Sequence, residues 1–500
     1  MFEKAILAIS PKWAANRAHY RIAYNECLAY DAAARSRHTS GWTTRGDSAN
    51  AEFGINGYDL DTIIWRSRDL VRNTPYAARA VSVLSAAIVG TGIVPRLATQ
   101  DKALKKAVRE DWEDFSDNCD PEGLMDFYGM QLLATRCMVE SGEALIRWIP
   151  RPAQDYAFPL QCRVLEPDYI DKGKNAETKS GGYILQGIEY DATGKRVAYW
   201  LFDRHPGEMA QWSRKNDSKR VLAQYISPYF FPLRAGQVHG VPWFAPVALR
   251  AHDINDYDSA EVRRKKIETA IAAFVTRAGG NAGGFLGKTE SDGTKGKQEK
   301  VKQGTIAYLK PGEDVKFGNV THVQGYSEYM TVQLHALAAG AGTTYEQMTG
   351  DLRSTNYSSA RVGLIEFYKL VDACQWLVAK PQLCAPVWRK FQAVRQVLRG
   401  DVGQGAATWA MPARPWVDPE KEQNANRAAV RNGTMSLPSV IAAQGEDPDE
   451  IFEDIAATNA RLDELGLIFD TDPRRMAVAG ASQVQNQGAD APQQGDNKNA

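Results

Sequence analysis

Residues 245–341 constrain the fold more than any other part of the sequence, because a long helical pattern runs out, the chemistry changes, and a second helical pattern returns. Residues 245–277 read as one helix, roughly 45–50 Å long at 1.5 Å per residue. Ile267, Ala270, Ile271 and Phe274 form its apolar stripe, and Arg263, Arg264, Lys265 and Lys266 a basic band in its middle. Residues 278–322 turn to Gly, Lys, Thr and Asp, with short apolar runs at 304–309 and 314–317 that predict a small β element. Helical spacing resumes at Tyr326, Met330, Leu334 and Leu337. A helix, a small head and a returning helix make an elongated hairpin that projects from a body instead of folding into its core.

The next stretch, 345–378, joins two characters without a break. Its first half is expected to be irregular: Gly350, Asp351, Ser354, Thr355, Asn356, Ser358 and Ser359 compete for backbone hydrogen bonds or free the backbone, so 350–357 reads as an exposed polar loop. Its second half is a helix, with Leu364, Phe367, Tyr368, Val371, Cys374 and Val378 at three- and four-residue spacing and Ser358 or Ser359 as the N-cap. Arg353, Ser354, Thr355, Asn356, Tyr357 and Ser358 suit brief, sequence-independent contact with phosphates, and equally a plain helix-connecting turn. The four cations 263–266 span a whole helical turn, so they cannot all face one ligand, and an ordinary solvated helix face is the favoured reading of them.

Upstream, helical spacing covers 61–89, with Pro75 opening a second helix and Gly90 to Gly92 stopping it, then 102–115 and 127–140. From 142 to 238 the period becomes strand-like, with short Val-, Ile-, Tyr- and Trp-rich runs and a hairpin turn at 191–195. Downstream, Pro381 and Pro386 kink or end the long helix, 400–413 reads as a Gly/Ala loop, and a smaller helical unit occupies 420–465. Residues 1–60 read as a peripheral arm, and the Gln/Asn/Gly-rich end as disordered. The fold class is α+β, mostly helical with one antiparallel β region.

Composition removes several functions. Sixty basic and sixty acidic residues cancel, which argues against tight, global DNA binding. No stretch supplies the about twenty uncharged apolar residues of a membrane span, so a soluble protein is expected. Cys27, Cys119, Cys137, Cys162, Cys374 and Cys384 are scattered without metal-like spacing, and seven histidines include no close pair, so no metal, cofactor or catalytic residue is predicted. Residues 282–289 come within one residue of a phosphate-binding P-loop through Gly287, Lys288 and Thr289. A charged helix before and a Gly/Asp run after make this a poor one, and it leaves an ATP-dependent DNA-processing enzyme only as the alternative. Glu140, Ser141 and Glu143 place carboxylates beside a serine, where capping and solvation are the expected roles.

The order of parts, with residues 69–80 and 88–93, the 237–247 run Gln-Val-His-Gly-Val-Pro-Trp-Phe-Ala-Pro-Val, Tyr345 to Met348, Asn356 to Arg361, and the 433–450 helical pair, resembles tailed-bacteriophage portal proteins of the lambda type over about residues 60–465. Residues 278–322 depart from that family's pattern. The resemblance implies an N-terminal arm (1–60), a wing (61–244), a first stem helix (245–277), a clip (278–322) and a second stem helix (323–341). It continues with a tunnel loop (342–357), a kinked wing helix (358–414), a crown (415–470) and a disordered tail (471–500). It implies a non-enzymatic ring, typically of twelve subunits, at one capsid vertex, through which double-stranded DNA is packaged and later ejected. The implied partners are the terminase large subunit, the major capsid and scaffold proteins and a head-completion or adaptor protein. The implied locations are the virion and, during assembly, the host cytoplasm. On this reading 353–358 face the DNA and 263–266 lie on the stem.

Overall fold

A computed structural model describes residues 57–99, 101–208, 217–270, 274–277, 313–316, 325–353, 355–400, 406–415 and 418–467. The first described elements are α1 (Gly57–Asn73) and α2 (Pro75–Val89). Proline at the first turn of α2 costs nothing there, because the N–H it lacks would have no helical partner. Gly90 then turns the chain out at φ 54°, packed so closely on Pro412 that a Cβ would lie 2.7 Å from it. Next come β1 (Val94–Leu97), α3 (Lys102–Asp117, capped by the Asp101 side chain) and α4 (Phe127–Ser141, capped by Asp126).

The β region builds two sheets. The first has order β3-β2-β9 from β2 (Glu143–Pro150), β3 (Leu160–Leu165) and β9 (Ile226–Phe230). The second runs in sequence order through β4 (Ala176–Glu177), β5 (Tyr183–Leu185), β6 (Ile188–Tyr190), β7 (Arg196–Leu201) and β8 (Lys219–Leu222). The Asp191 carboxylate closes the β6–β7 turn by accepting the N–H groups of Thr193 and Lys195. Leu145, Leu165, Ile188, Tyr199, Leu201 and Ile226 form a separate small core between the sheets.

A turn of 3₁₀ helix at Ala245–Val247 leads into α5 (Ala248–Ala270). The helix expected over 245–277 is therefore shorter: β10 (Phe274–Arg277) is a strand, paired antiparallel with β11 (Glu313–Lys316). Phe274 thus leaves the helical stripe, as the β-branched Val275 and Thr276 beside it favour. The chain returns through α6 (Tyr326–Ala341), antiparallel to α5, since Tyr326 bonds Asp258 and Gln333 bonds Arg250. Ala251 and Ile254 root α5 in the main core, and Met330, Leu334, Leu337 and Ala338 do the same for α6.

A short α7 (Tyr345–Thr349) precedes α8 (Tyr357–Ala373). Beyond α8 the helix continues as an eleven-residue π segment, Cys374–Cys384, and then as α9 (Ala385–Arg399). Pro381 lies inside the π turn and Pro386 in the first turn of α9, so the chain neither ends nor leaves the helix at either. Wider winding makes room for a residue without an N–H, and two glutamines fix the segment. Gln375 donates to the Ile88 carbonyl at 2.7 Å, and Gln382 accepts the Phe230 N–H at 2.8 Å. The Gly/Ala stretch expected to be a loop includes a strand, β12 (Ala407–Ala410), which pairs antiparallel with β1. Trp112, Phe115, Phe127, Phe158, Trp388 and Phe391 interlock in the main core, with Phe158 stacked on Phe391 at 4.9 Å. The last described elements are α10 (Pro419–Arg431), α11 (Leu437–Ala443) and α12 (Pro448–Leu465).

Candidate functional site

The polar stretch between α7 and α8 is better ordered than its composition predicts. Residues 345–349 are helical, closed by a reciprocal capping box in which the Thr344 hydroxyl accepts the Gln347 N–H and the Gln347 side chain accepts the Thr344 N–H. Gly350 ends this helix at φ 74°. Arg79 of α2 reaches across to donate to the Gln347 carbonyl at 2.7 Å, and His335 of α6 stacks on Tyr345 at 4.2 Å. The loop is therefore carried on a fixed platform.

Within the loop, Arg353 folds back on Asp351. Its guanidinium donates to both carboxylate oxygens, at 2.9 and 2.8 Å, and its own N–H to one of them at 3.1 Å. The Arg353 bonds hold the Asp351 carboxyl well below the ordinary carboxylate range. Arg353 is thus exposed yet neutralised locally, and the loop presents hydroxyl and amide groups instead of net charge. Thr355 donates to Glu346 at 3.2 Å. Burial alone would raise the Glu346 carboxyl, but its backbone, Thr344 and Thr355 hydrogen bonds outweigh that and hold it low. Ser354 lies outside the described residues.

Asn356 caps α8, in place of the expected Ser358 or Ser359: its Oδ1 accepts the Ser359 N–H at 2.8 Å, and the Ser359 hydroxyl accepts the Asn356 N–H at 3.3 Å. Asn is the better cap here because its amide oxygen reaches N3 from extended backbone, while Ser359 completes the box from inside the helix. Tyr357 and Ser358 occupy the first exposed turn, with Lys421 of α10 poised 5.8 Å over the Tyr357 ring. Of the basic band, Arg264 turns back to Glu261 at 2.5 Å, while Arg263, Lys265 and Lys266 are exposed around the helix. Residues 282–289 lie outside the described residues.

Sequence reading missed a second feature. Glu143, expected to be solvated, is buried at 2 % exposure and pairs with the equally buried His239 at 2.8 Å. His239 Nε2 meets the Gln186 carbonyl at 3.0 Å, and the other Glu143 oxygen accepts the Gly240 N–H at 3.2 Å. Burial alone would push the Glu143 carboxyl up; His239, Lys172 and the Gly240 N–H outweigh it and hold it down. The two backbones cross so tightly that a Cβ on Gly240 would lie 2.0 Å from the Gly142 carbonyl oxygen. One buried group thus rivets the start of β2, the β5–β6 turn and the approach to α5. Glu143 and His239 are 96 positions apart, a separation that no local pattern reports. A neighbouring donor group, Glu166, Asp168 and His205, has a spacing that a cation suits, and the Arg68 guanidinium supplies one, at 2.6 Å from Asp168 and 3.1 Å from Glu166.

A mostly helical body with small antiparallel sheets, a two-helix excursion and a platform-mounted polar loop defines the class of chain. Residues 35–375 match the phage portal protein, lambda family. The chain is 24 % identical over 454 residues to the probable portal protein of Halomonas phage phiHAP-1, covering 87 % of each. It is 22 % identical over 443 residues to portal protein B of Escherichia phage lambda, covering 77 % of this chain and 81 % of that one. Among solved structures, it is similar to a chain in the neck of a native gene transfer agent particle, with TM-score 0.43 and 15 % identity over 79 % of this chain and 95 % of that one. The chain belongs to the lambda family of phage portal proteins. No helix among the described residues is long and apolar enough to cross a membrane.

Proposed function

We propose that this portal protein assembles as a ring, of twelve subunits, at one capsid vertex, and that double-stranded DNA passes through the ring during packaging and ejection. The lambda-family match over residues 35–375 carries this reading. Exposed apolar side chains on α5, α6 and the long helix, among them Leu249, Val332, Val362 and Leu377, support subunit contacts, since isolated soluble chains rarely leave so much apolar surface uncovered. The wing, stem, clip, tunnel-loop and crown assignments of the sequence reading belong to the same proposal.

The tunnel loop, Arg353 to Ser358, faces the DNA in this reading. Every phosphate that a protein neutralises adds affinity through counterion release, so a conduit for sliding DNA is best lined by groups that touch without gripping. An arginine already satisfied by Asp351, beside Thr355, Asn356, Tyr357 and Ser358, meets that need, as does a chain whose formal net charge is zero. The cations Arg263, Arg264, Lys265 and Lys266 lie along the stem wall. The ring is a conduit and platform without an enzymatic activity of its own; the terminase large subunit supplies the motor. The major capsid and scaffold proteins surround it, and a head-completion protein docks on the clip side. It assembles in the host cytoplasm and remains in the virion.

Electron microscopy of the purified protein tests the ring: closed particles with a central hole are expected, and a monomer at all concentrations refutes it. The N356A/Y357A variant tests the loop. Rings should form normally while packaging or retention of DNA falls, and loss of rings would make the loop a structural element instead.

A further inference from the structure

The last three described helices are attached to the rest of the chain in an unusual way. No residue of α10, α11 or α12 is buried, and Leu437, Phe452, Ile455 and Leu465 are exposed. Val440, Ile441, Ala442 and Ile451 are only half-buried, so no fully buried apolar side chain anchors this unit. Its contact with β1 and α3 is instead dense in charge, of one sign on each side. The cations come from β1 and α3: Arg96, Lys102, Lys105 and Arg109. The acids come from the entry to α12: Asp447, Asp449, Glu450 and Glu453.

Lys105 sits between Asp447 at 3.2 Å and Asp449 at 2.7 Å, Lys102 reaches Glu453 at 2.7 Å, and Arg109 reaches Glu450. Arg96 lies 3.8 Å from Asp447 and donates to the Gly445 carbonyl at 2.7 Å. A cavity of about 630 Å³, lined by Arg96, Lys105, Thr408, Ser439 and Asp447 among others, opens the same contact to water. At its other end the unit meets the loop-bearing helix. Lys421 lies over Tyr357, and Lys421 is itself fixed by Asp418, the cap of α10, at 2.7 Å.

We propose that residues 418–465 are a strap that is docked by charge and released by salt or by a competing charge, and that it ties the Tyr357 end of α8 to the basic face of β1 and α3. Lys102, Arg109, Asp449, Glu450 and Glu453 are exposed, while Arg96, Lys105 and Asp447 are largely covered. The exposed pairs are screened as the Debye length falls from about 10 Å at 0.1 M salt to about 3 Å at 1 M, and the covered ones less, whereas a packed apolar interface would be unmoved or strengthened. Release of the strap removes Lys421 from Tyr357 and frees the first turn of α8. This inference concerns contacts within one chain and stands whether or not the loop faces DNA.

The test is a distance measurement between spin labels at A103C and A457C on the full-length protein, with labelled chains diluted into unlabelled ones. Cys119, Cys137, Cys162, Cys374 and Cys384 are buried and so are shielded from the label; Cys27 is replaced by serine. A single narrow distance is expected at 0.05 M NaCl, with loss of that narrow peak at 1 M. K105E should lose it at low salt, and K105E combined with D447K and D449K should restore it. Hydrogen exchange of the 357–360 amides should quicken whenever the peak is lost. A narrow distance unchanged by salt and by K105E overturns the proposal, as does failure of the charge swap to restore it in a folded protein. Release without any change at 357–360 overturns the tie to α8.

Discussion

Removing the Glu143 carboxylate gives the sharpest test of how this chain is held together. Glu143 and His239 are each 2 % exposed and 2.8 Å apart, and the carboxylate also accepts the Gly240 N–H. Glu143→Ala leaves His239 Nδ1 and the Gly240 N–H without acceptors in a site that water does not reach. Breaking one side of a buried pair costs about 3–5 kcal/mol, and an orphaned buried donor accounts for about 1–3 kcal/mol of that. Against a typical stability of about 5–15 kcal/mol the loss is large. His239→Ala should cost a similar amount, because it strands the carboxylate. The double variant should cost less than the sum of the two, by about 1–3 kcal/mol, since neither group is then left alone. Urea unfolding followed by tryptophan fluorescence at one fixed protein concentration measures all three. Single costs below about 1 kcal/mol, or strictly additive costs, would refute the rivet.

Further outcomes follow from the same geometry. Gly240→Ala must move backbone to clear the 2.0 Å approach to Gly142, so a loss at or above the top of the about 1–3 kcal/mol overpacking range is expected in the same assay. Asn356→Ala should destabilise the first turn of α8 by about 1 kcal/mol, read as faster hydrogen exchange there with the rest of the chain unchanged. Arg68, outweighing the effect of burial, holds the Asp168 carboxyl below its ordinary value, and Glu143 is also held low. The unfolded chain therefore takes up these protons first. Both contributions are complete above about pH 4.5 and fade as pH drops toward the lowered values; their sign is wrong if R68M and E143A flatten no part of the acid limb. Burial pushes the Cys374 and Cys384 thiols up to about 12, so iodoacetamide at pH 8 should leave both unmodified in the native protein and label them after unfolding.

Much of this architecture is legible locally. Pro75 and Gly90 bound α2, Val108, Trp112 and Phe115 mark the buried face of α3, and the 191–195 turn pairs β6 with β7, because each depends on residues a few positions apart. Errors arise where distant partners decide. The 274–277 segment has helical spacing behind it, but its pairing with 313–316 makes it a strand. Residues 407–410 look like a loop until β1 offers them an edge, and Pro381 looks like a helix stop until the π turn, pinned by Gln375 and Gln382, absorbs it.

The candidate loop divides in the same way. Its polarity, its position before a long amphipathic helix and the family it belongs to can be read from the residues. Its charge state cannot: Arg353 reads as a free cation in the sequence, and only the folded loop closes it onto Asp351. Nor does the sequence disclose that Lys421, 64 positions beyond Tyr357, lies over that ring, or that Glu143 finds His239. Periodicity, caps and turns are fixed by neighbours along the chain, so the sequence alone determined the elements and their order. Which charges are cancelled, which glycines lie where backbones cross and which helices are held by ion pairs depend on groups that meet only after the chain has folded, and those the tertiary structure decided.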